Sequence, residues 1–429
     1  MSHPVDEILR AQKRGKARGI ASICSAHPWV LKTALRGKHP VLIEATCNQV
    51  NQFGGYTGMT SADFAAFVRR LAAENHFPVE QIILGGDHLG PSPWQNESAA
   101  LAMQKAADMV RAYVQAGYTK IHLDASMRLG DDDPKNPLDL ELAAQRTSLL
   151  AHVAEETLPS PVLGRGAGGE GLRYIIGTEV PPPGGATEHE ESVRVTKVED
   201  VKQTIAITHE AFTRAGLESA WEKVMGVVVQ PGVEFGDDFV LPYQPAAAQE
   251  LSKFIESQPL IYEAHSTDYQ SREALTHLVR DHFAILKVGP ALTYAFREAV
   301  FSLAMIEQEL FAEEEHSQLI ERLDAAMLRE PRHWQNYYHG TPEQQAFARK
   351  YSLSDRIRYY WSEPTVQAAL SKMLKNLKAT VIPLSLISQF LPELYPLIRD
   401  ERLPNSAASI INSRIGLWLE DYSFAMDSK

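Results

Sequence analysis

Eight short apolar runs recur along the chain, at 20–27, 40–46, 81–88, 120–126, 174–180, 226–232, 260–266 and 284–291, and nearly all of them end in polar residues. Between most of the runs lie stretches with the apolar spacing of helices, at 60–73, 99–116, 139–156, 198–215 and 244–256. Strands alternating with helices imply parallel pairing through right-handed crossovers, and eight such units close into a barrel. In that architecture the strand bodies pack the interior, while groups that do chemistry project from the C-terminal strand ends. The polar residues of GGDHLG (85–90) and YEAHSTD (262–268) stand at such ends.

The predicted fold class is therefore α/β, a (β/α)8 TIM barrel over 1–320. The chain has 429 residues, well beyond the roughly 250 of a typical barrel, so a C-terminal helical extension is expected over 321–429. Helices are predicted there at 342–350, 354–361, 365–377, 384–399 and 406–424. Aromatic residues crowd 333–340 (HWQNYYHG) and 355–361 (DRIRYYW), where packing against the barrel is the simple explanation and an exposed ligand or partner surface the alternative. The loops at 128–138 and 180–196 are long enough to read as functional lids or mobile segments.

Composition narrows the function. A hydrophobic share of 44% supports a large core. A net charge of −12 and a pI near 5.7 argue against a nucleic-acid or anionic-membrane surface. No run approaches the ~20 apolar residues needed to cross a bilayer, and the N-terminal segment lacks the apolar core of a signal peptide. A cytoplasmic protein is expected, and its oligomeric state, including a homo-oligomer, stays open. Cys24 and Cys47 are too few for a disulfide scaffold and read as buried, inert thiols. The segment GRGAGG (164–169) matches a dinucleotide fingerprint in letters but precedes a strand instead of linking a strand to a helix, so it reads as a surface turn.

Strand alternation sorts the candidate residues by face. His122 pairs with Asp124, Glu263 with His265, and Lys287 with Gly289. An inward set of His88, His122, Asp124, Glu179, Glu263, His265 and Lys287 is costly unless paired or bound to something. An internal ion pair such as Lys287 with Glu263 is one explanation, and for the set as a whole a ligand or metal is favoured. Two histidines from different strands with a carboxylate and an open position suit zinc or a similar divalent ion. Asp87, directly before His88, is placed to shuttle a proton. Thr60 to Asp63 reads as a helix capping box. The loop at 47–59 brings Asn48, Gln52 and Tyr56 to the same end, and uncharged hydrogen-bonding groups suit a sugar. Backbone amides at Ser266, Thr267 and Asp268 and around Gly289 are candidates for holding a phosphate, joined by Arg356 and Arg358 if the helical region folds back.

Eight ordered motifs carry a family resemblance: IEATCNQVNQFGGYTGM (43–59), ILGGDHLGP (83–91), KIHLDASM (120–127), GTEVPPPGG (177–185), VVVQPGVEF (227–235), YEAHSTDYQ (262–270), ILKVGPALTYAFREA (285–299) and YSLSDRIRYYW (351–361). Together they resemble the GatZ/KbaZ family of tagatose-bisphosphate aldolase-associated proteins, itself similar to class II, metal-dependent aldolases. The resemblance implies that Asp87 matches the proton-donating aspartate, that His88 and His265 match the first and last metal histidines, and that Glu179 matches a loop carboxylate. The sixth-strand histidine of those aldolases has no match; Gln230 stands in its place. Two activities follow from the resemblance. One is metal-assisted C4 epimerisation of D-tagatose 6-phosphate to D-fructose 6-phosphate in tagatose and galactitol catabolism, by retro-aldol and aldol steps. The other is an accessory role beside a catalytic GatY/KbaY-type subunit.

Overall fold

A computed structural model describes residues 3–37, 40–158, 171–177 and 193–427. The glycine-rich segment at 164–169, Glu179 and most of the 180–196 loop lie outside the described residues.

Eight parallel strands close a barrel: Ile20–Ile23, Val41–Thr46, Ile82–Leu89, Lys120–Leu123, Arg173–Ile176, Val224–Val228, Ile261–Ala264 and Phe283–Val288. Each pairs with its neighbours in sequence, and the first closes on the eighth through Ile20 to Ile285 and Ser22 to Lys287. Alternation along the strands builds the interior in layers. Ile20, Leu42, Ile83, Ile175, Ile261 and Ile285 form an apolar floor, plugged from below by Val5 and Ile8 of the helix Pro4–Gln12. One layer higher the inward positions are Glu44, Lys120, Glu263 and Lys287, and above those come Asp87, His122 and His265. Gly85 makes room for this change, because a Cβ there would stand 2.7 Å from the Glu44 side chain.

The predicted helices form close to their expected bounds. Ser61–Glu74 starts with the capping box: the Asp63 amide donates to Thr60 Oγ1 at 3.2 Å and the Thr60 amide to Asp63 Oδ2 at 3.0 Å. The loop at 128–138 is tied down, with Arg146 forking onto Asp132 at 2.7 Å through both nitrogens.

After the long helix Pro290–Leu310 the chain continues through Leu319–Arg329, Pro342–Tyr351, the 3-10 turn Arg356–Tyr360, Pro364–Lys378, Leu384–Phe390, Tyr395–Arg399 and Ala407–Met426. The single helix expected over 384–399 is two helices. Leu391 precedes Pro392, and a residue before proline is pushed out of the helical region, as its φ of −144° and ψ of 54° record.

Two features bind this region to the barrel. Its last helix packs between Pro28–Ala34, Arg272–Arg280 and Pro290–Leu310, where the Tyr422 hydroxyl donates to the Thr267 carbonyl at 2.7 Å and Arg272 meets Asp421 at 2.6 Å. The segment at 352–355 is fastened over the barrel mouth. Ser352 and Ser354 donate to Asp237 at 2.8 and 3.1 Å, Tyr269 to the Leu353 carbonyl at 2.5 Å, and Thr293 and Arg297 to Asp355 at 2.5 and 3.2 Å.

Tyr422→Phe removes a buried hydroxyl that also lies 3.0 Å from Thr267 Oγ1. It is expected to cost about 1–3 kcal/mol in urea unfolding, whereas an unchanged midpoint would show that the last helix is not held there.

Candidate active site

The middle layer of the barrel is an ion cage. Lys120 Nζ lies 2.6 Å from Glu44 and 2.5 Å from Glu263. Lys287 Nζ touches Glu44 and lies 2.5 Å from Asp87 and 3.4 Å from Glu263. The expected pairing of Lys287 with Glu263 is present, but it is the longest of these contacts.

On top of the cage three imidazoles form a triangle, with ring centroids 5.1 Å apart for His88 and His122, 5.0 Å for His88 and His265, and 5.5 Å for His122 and His265. Each commits one nitrogen to a carboxylate: His88 Nδ1 to Asp124 at 2.9 Å, His122 Nδ1 to Asp87 at 2.9 Å, and His265 Nε2 to Glu263 at 3.1 Å. That pairing fixes ring orientation and leaves the second nitrogen of each ring for something else. His122 Nε2 is buried and has no hydrogen-bond partner. Ligand atoms of Asp87, His88, His122 and His265 all lie within 4.8 Å of one another. His88 and Ser266 adopt positive φ, 50° and 53°, which non-glycine residues rarely do and which marks the two strand ends as constrained.

The same electrostatics sets protonation. Burial opposes the charge of Asp87, but His88 and Lys287 hold its carboxyl well below the usual range. Burial likewise opposes Asp124, and the hydrogen bond and charge of His88 bring it down. Burial depresses His88, yet Asp87 and Asp124 outweigh it and raise the imidazole. His265 is pushed down to about 3 by burial, with Glu263 offsetting only part. Cys24, Glu44 and Asp87 form a second cluster with metal-like spacing. The Lys287 ammonium already sits among them, and burial raises the Cys24 thiol, so that cluster is filled.

His88 and His265 floor a cavity of about 1090 Å³, with His122 buried behind them, and its walls include Asn48, Tyr56, Asp87, Asp124, Ser266, Lys287, Arg356 and Arg358. The helical region does fold back, since Arg332, His333, Tyr337 and Tyr359 line the same space. Tyr56 from the barrel loop meets Tyr359 at 4.7 Å. Glu263 stays beneath the floor, fully buried.

Three expected binding residues point elsewhere. Gln52 donates to the Lys105 carbonyl at 2.9 Å. Gln230 spends its carbonyl oxygen on the amides of Gly232 and Val233 at 2.8 and 3.0 Å. Thr267 is buried against Lys287 and Tyr422. The amides around Gly289 are also taken, because Asp268 accepts from Gly289 at 3.0 Å and Ala291 at 2.8 Å. Lys120 and Glu44 are further inward residues that the candidate set lacks, and alternation is the signal for both, since Lys120 stands two before His122 and Glu44 two after Leu42. His122 faces inward as alternation requires, and its position beside both His88 and His265 carries no signal in the sequence.

The D-tagatose-1,6-bisphosphate aldolase subunit GatZ/KbaZ-like family model matches residues 5–427. The chain belongs to the GatZ/KbaZ-like family. Among its members, the D-tagatose-1,6-bisphosphate aldolase subunit GatZ of Salmonella heidelberg is 49% identical over 422 residues, covering 97% of this chain and 98% of that protein. The GatZ of Klebsiella pneumoniae is 48% identical over 427 residues, covering 99% of each. A crystal structure described as a probable tagatose 6 phosphate kinase from Sinorhizobium meliloti aligns with a TM-score of 0.86 at 45% identity, over 95% of this chain and all of that one.

Lys120→Met would leave Glu44 and Glu263 with only the Lys287 ammonium to share. A loss of about 3–5 kcal/mol is expected in chemical denaturation, and a neutral result would mean the cage is not what holds the interior. His27 is also held neutral, its imidazole pushed down to about 3 by burial. It takes up its proton only on unfolding, so stability falls as pH drops from about 6.5 towards 3, by at most about 1.4 kcal/mol per pH unit for that residue. His27→Phe should flatten the acid limb of stability against pH by one proton, and an identical limb would contradict the assignment.

Proposed function

We propose that this chain is the GatZ-type component of a D-tagatose-1,6-bisphosphate aldolase and that its own barrel binds a tagatose phosphate. The observation that carries the second clause is the histidine triangle with Asp87 under a cavity large enough for a sugar phosphate. Near-half identity over the full length of proteins named as that subunit supports the first. A GatY/KbaY-type chain is the partner in this reading, and the setting is cytoplasmic carbohydrate catabolism. Among the described residues no helix is long and apolar enough to cross a membrane.

The residues fit a divalent ion, with zinc the natural choice for a nitrogen-rich site. His88, His122 and His265 would hold it, and the orphaned Nε2 of His122 is the atom that otherwise has no purpose. The charges agree. Glu44, Asp87, Asp124 and Glu263 outnumber Lys120 and Lys287 by two formal negative charges, and while no cation is bound the raised His88 imidazole answers part of that excess. Such an ion supplies Lewis acidity toward a sugar carbonyl.

Everything else falls to the side chains. Asp87, kept ionised beside Lys287, accepts a hydroxyl proton and returns it. Asp124 and Glu263 orient His88 and His265. Asn48 and Tyr56 face the sugar hydroxyls. Glu179, on the resemblance to class II aldolases, is a further acid-base candidate.

The ionised Asp87, aimed into the cavity, favours a second reading in which the chain alone acts as a D-tagatose 6-phosphate 4-epimerase. C4 of a 2-ketose is not adjacent to the carbonyl, so enolisation cannot invert it, whereas reversible cleavage of the C3–C4 bond can. Asp87 would take the O4 proton and give it back after re-addition to the other face. In a purely accessory subunit that carboxylate would serve only to hold Lys287 and His122 in place.

Wild type and Asp87→Asn should be assayed alone and with a GatY-type subunit. The subunit reading expects either protein to raise the partner's aldolase activity, and indifference of the partner would overturn it. The epimerase reading expects D-fructose 6-phosphate from the wild type alone and a loss of about two or more orders of magnitude in Asp87→Asn. Absence of product from the wild type would remove it.

A further inference from the structure

We infer that Arg356 and Arg358, on the segment that roofs the barrel, form the subsite for the phosphate group of the bound sugar. This rests on the proposed sugar-phosphate reading for the identity of the ligand, but not for the existence of the anion site.

Both guanidinium groups line the cavity, and Arg356 is only 3% exposed. A buried guanidinium needs a counter-charge, yet neither forms an ion pair with a carboxylate among the described residues. The nearest candidate, Asp355, is consumed by Thr293 and Arg297 at 2.5 and 3.2 Å. Neutral groups hold the two arginines in place. Arg356 lies over the ring of Tyr337 and donates to the His333 carbonyl at 3.2 Å. Arg358 donates to the Asp355 carbonyl at 3.0 Å and to the Tyr359 hydroxyl at 2.9 Å. The Arg356 Nε is buried and has no partner at all. Two oriented forks, one with an unsatisfied donor and both without an anion, are what a phosphate dianion satisfies.

The competing location is the N-terminus of the helix Pro290–Leu310, a usual phosphate seat in a barrel. It is closed, because Asp268 accepts from the amides of Gly289 and Ala291 and puts a carboxylate where the anion would sit. At the floor, Lys287 is neutralised by Glu44, Asp87 and Glu263. The phosphate end of the ligand therefore belongs to the roof and its reacting carbons to the histidine triangle. The fastening of residues 352–355 to Asp237, Tyr269 and Thr293 fixes the distance between the two ends.

The test is calorimetric titration of the full chain with inorganic phosphate, D-tagatose 6-phosphate and D-tagatose. Wild type should bind inorganic phosphate, and the sugar phosphate more tightly than the free sugar. Arg356→Gln and Arg358→Gln should each weaken both phosphate ligands by about tenfold or more while leaving the free sugar alike. Arg356→Lys, which keeps the charge without the fork, should fall between, and it guards against a Gln variant that fails to fold. Phosphate binding that ignores the Gln substitutions, or no binding of inorganic phosphate by wild type at millimolar concentration, would overturn the subsite. A chain that binds phosphate through Arg356 but neither turns over sugar nor supports a partner would instead sink the functional reading and leave the subsite standing.

Discussion

The barrel interior of this protein holds four buried carboxylates, Glu44, Asp87, Asp124 and Glu263, and everything about the site depends on how they are compensated. Two lysines from the fourth and eighth strands answer the glutamates of the second and seventh, each ammonium bridging more than one oxygen. Attraction of this kind repays the cost of burial only when the opposite charges stay close, as the contacts of 2.5 and 2.6 Å at Lys120 do. The cage therefore fixes the strands relative to one another. The histidines stand directly above it, and their orientation is inherited from carboxylates that the cage or its neighbours hold ionised. Breaking one lysine would reach the imidazoles through Glu263 and Asp87.

The second organising fact is that the cavity is completed from far away in sequence. The barrel provides the floor, and residues 332–361 provide the roof. The last helix then returns to pack beside the first, seventh and eighth strand units. Its buried residues, Ile410, Ile411, Ile415 and Tyr422, join the same apolar cluster as the outer face of the barrel. A ligand in the cavity touches residues whose positions depend on both parts, so loosening the C-terminal region should be felt at the site before it is felt in the barrel.

The barrel was legible in the sequence because eight apolar runs with period-two polar insertions leave few alternatives, and alternation alone put His122, Glu263, His265 and Lys287 inside. What alternation cannot tell is where a side chain goes after it leaves the strand. Gln52, Gln230 and Thr267 follow strand ends just as Asn48 and Ser266 do, yet they turn into local backbone or a neighbouring helix. Glu44 and Lys120 were hidden for a different reason: they lie one layer below the strand ends, where apolar packing is the default expectation. The break before Pro392 was readable from the proline itself. That Asp268 closes the helix N-terminus was not, since it depends on a contact between consecutive strand units. The family resemblance includes His122 in the motif KIHLDASM but gives it no role, and its place beside His88 and His265 emerges only when the rings meet in space.

In the proposed site one divalent cation would answer both the remaining negative charge of the barrel and the unpartnered His122 Nε2 above it. The direct measurement is titration of zinc into chelator-treated, full-length wild type and His122→Ala, followed by calorimetry with elemental analysis of the saturated protein. One ion per chain in wild type and its loss in His122→Ala is the predicted result. Absence of saturable binding, or equal occupancy in the two proteins, would contradict the account and leave the triangle a structural hydrogen-bond network.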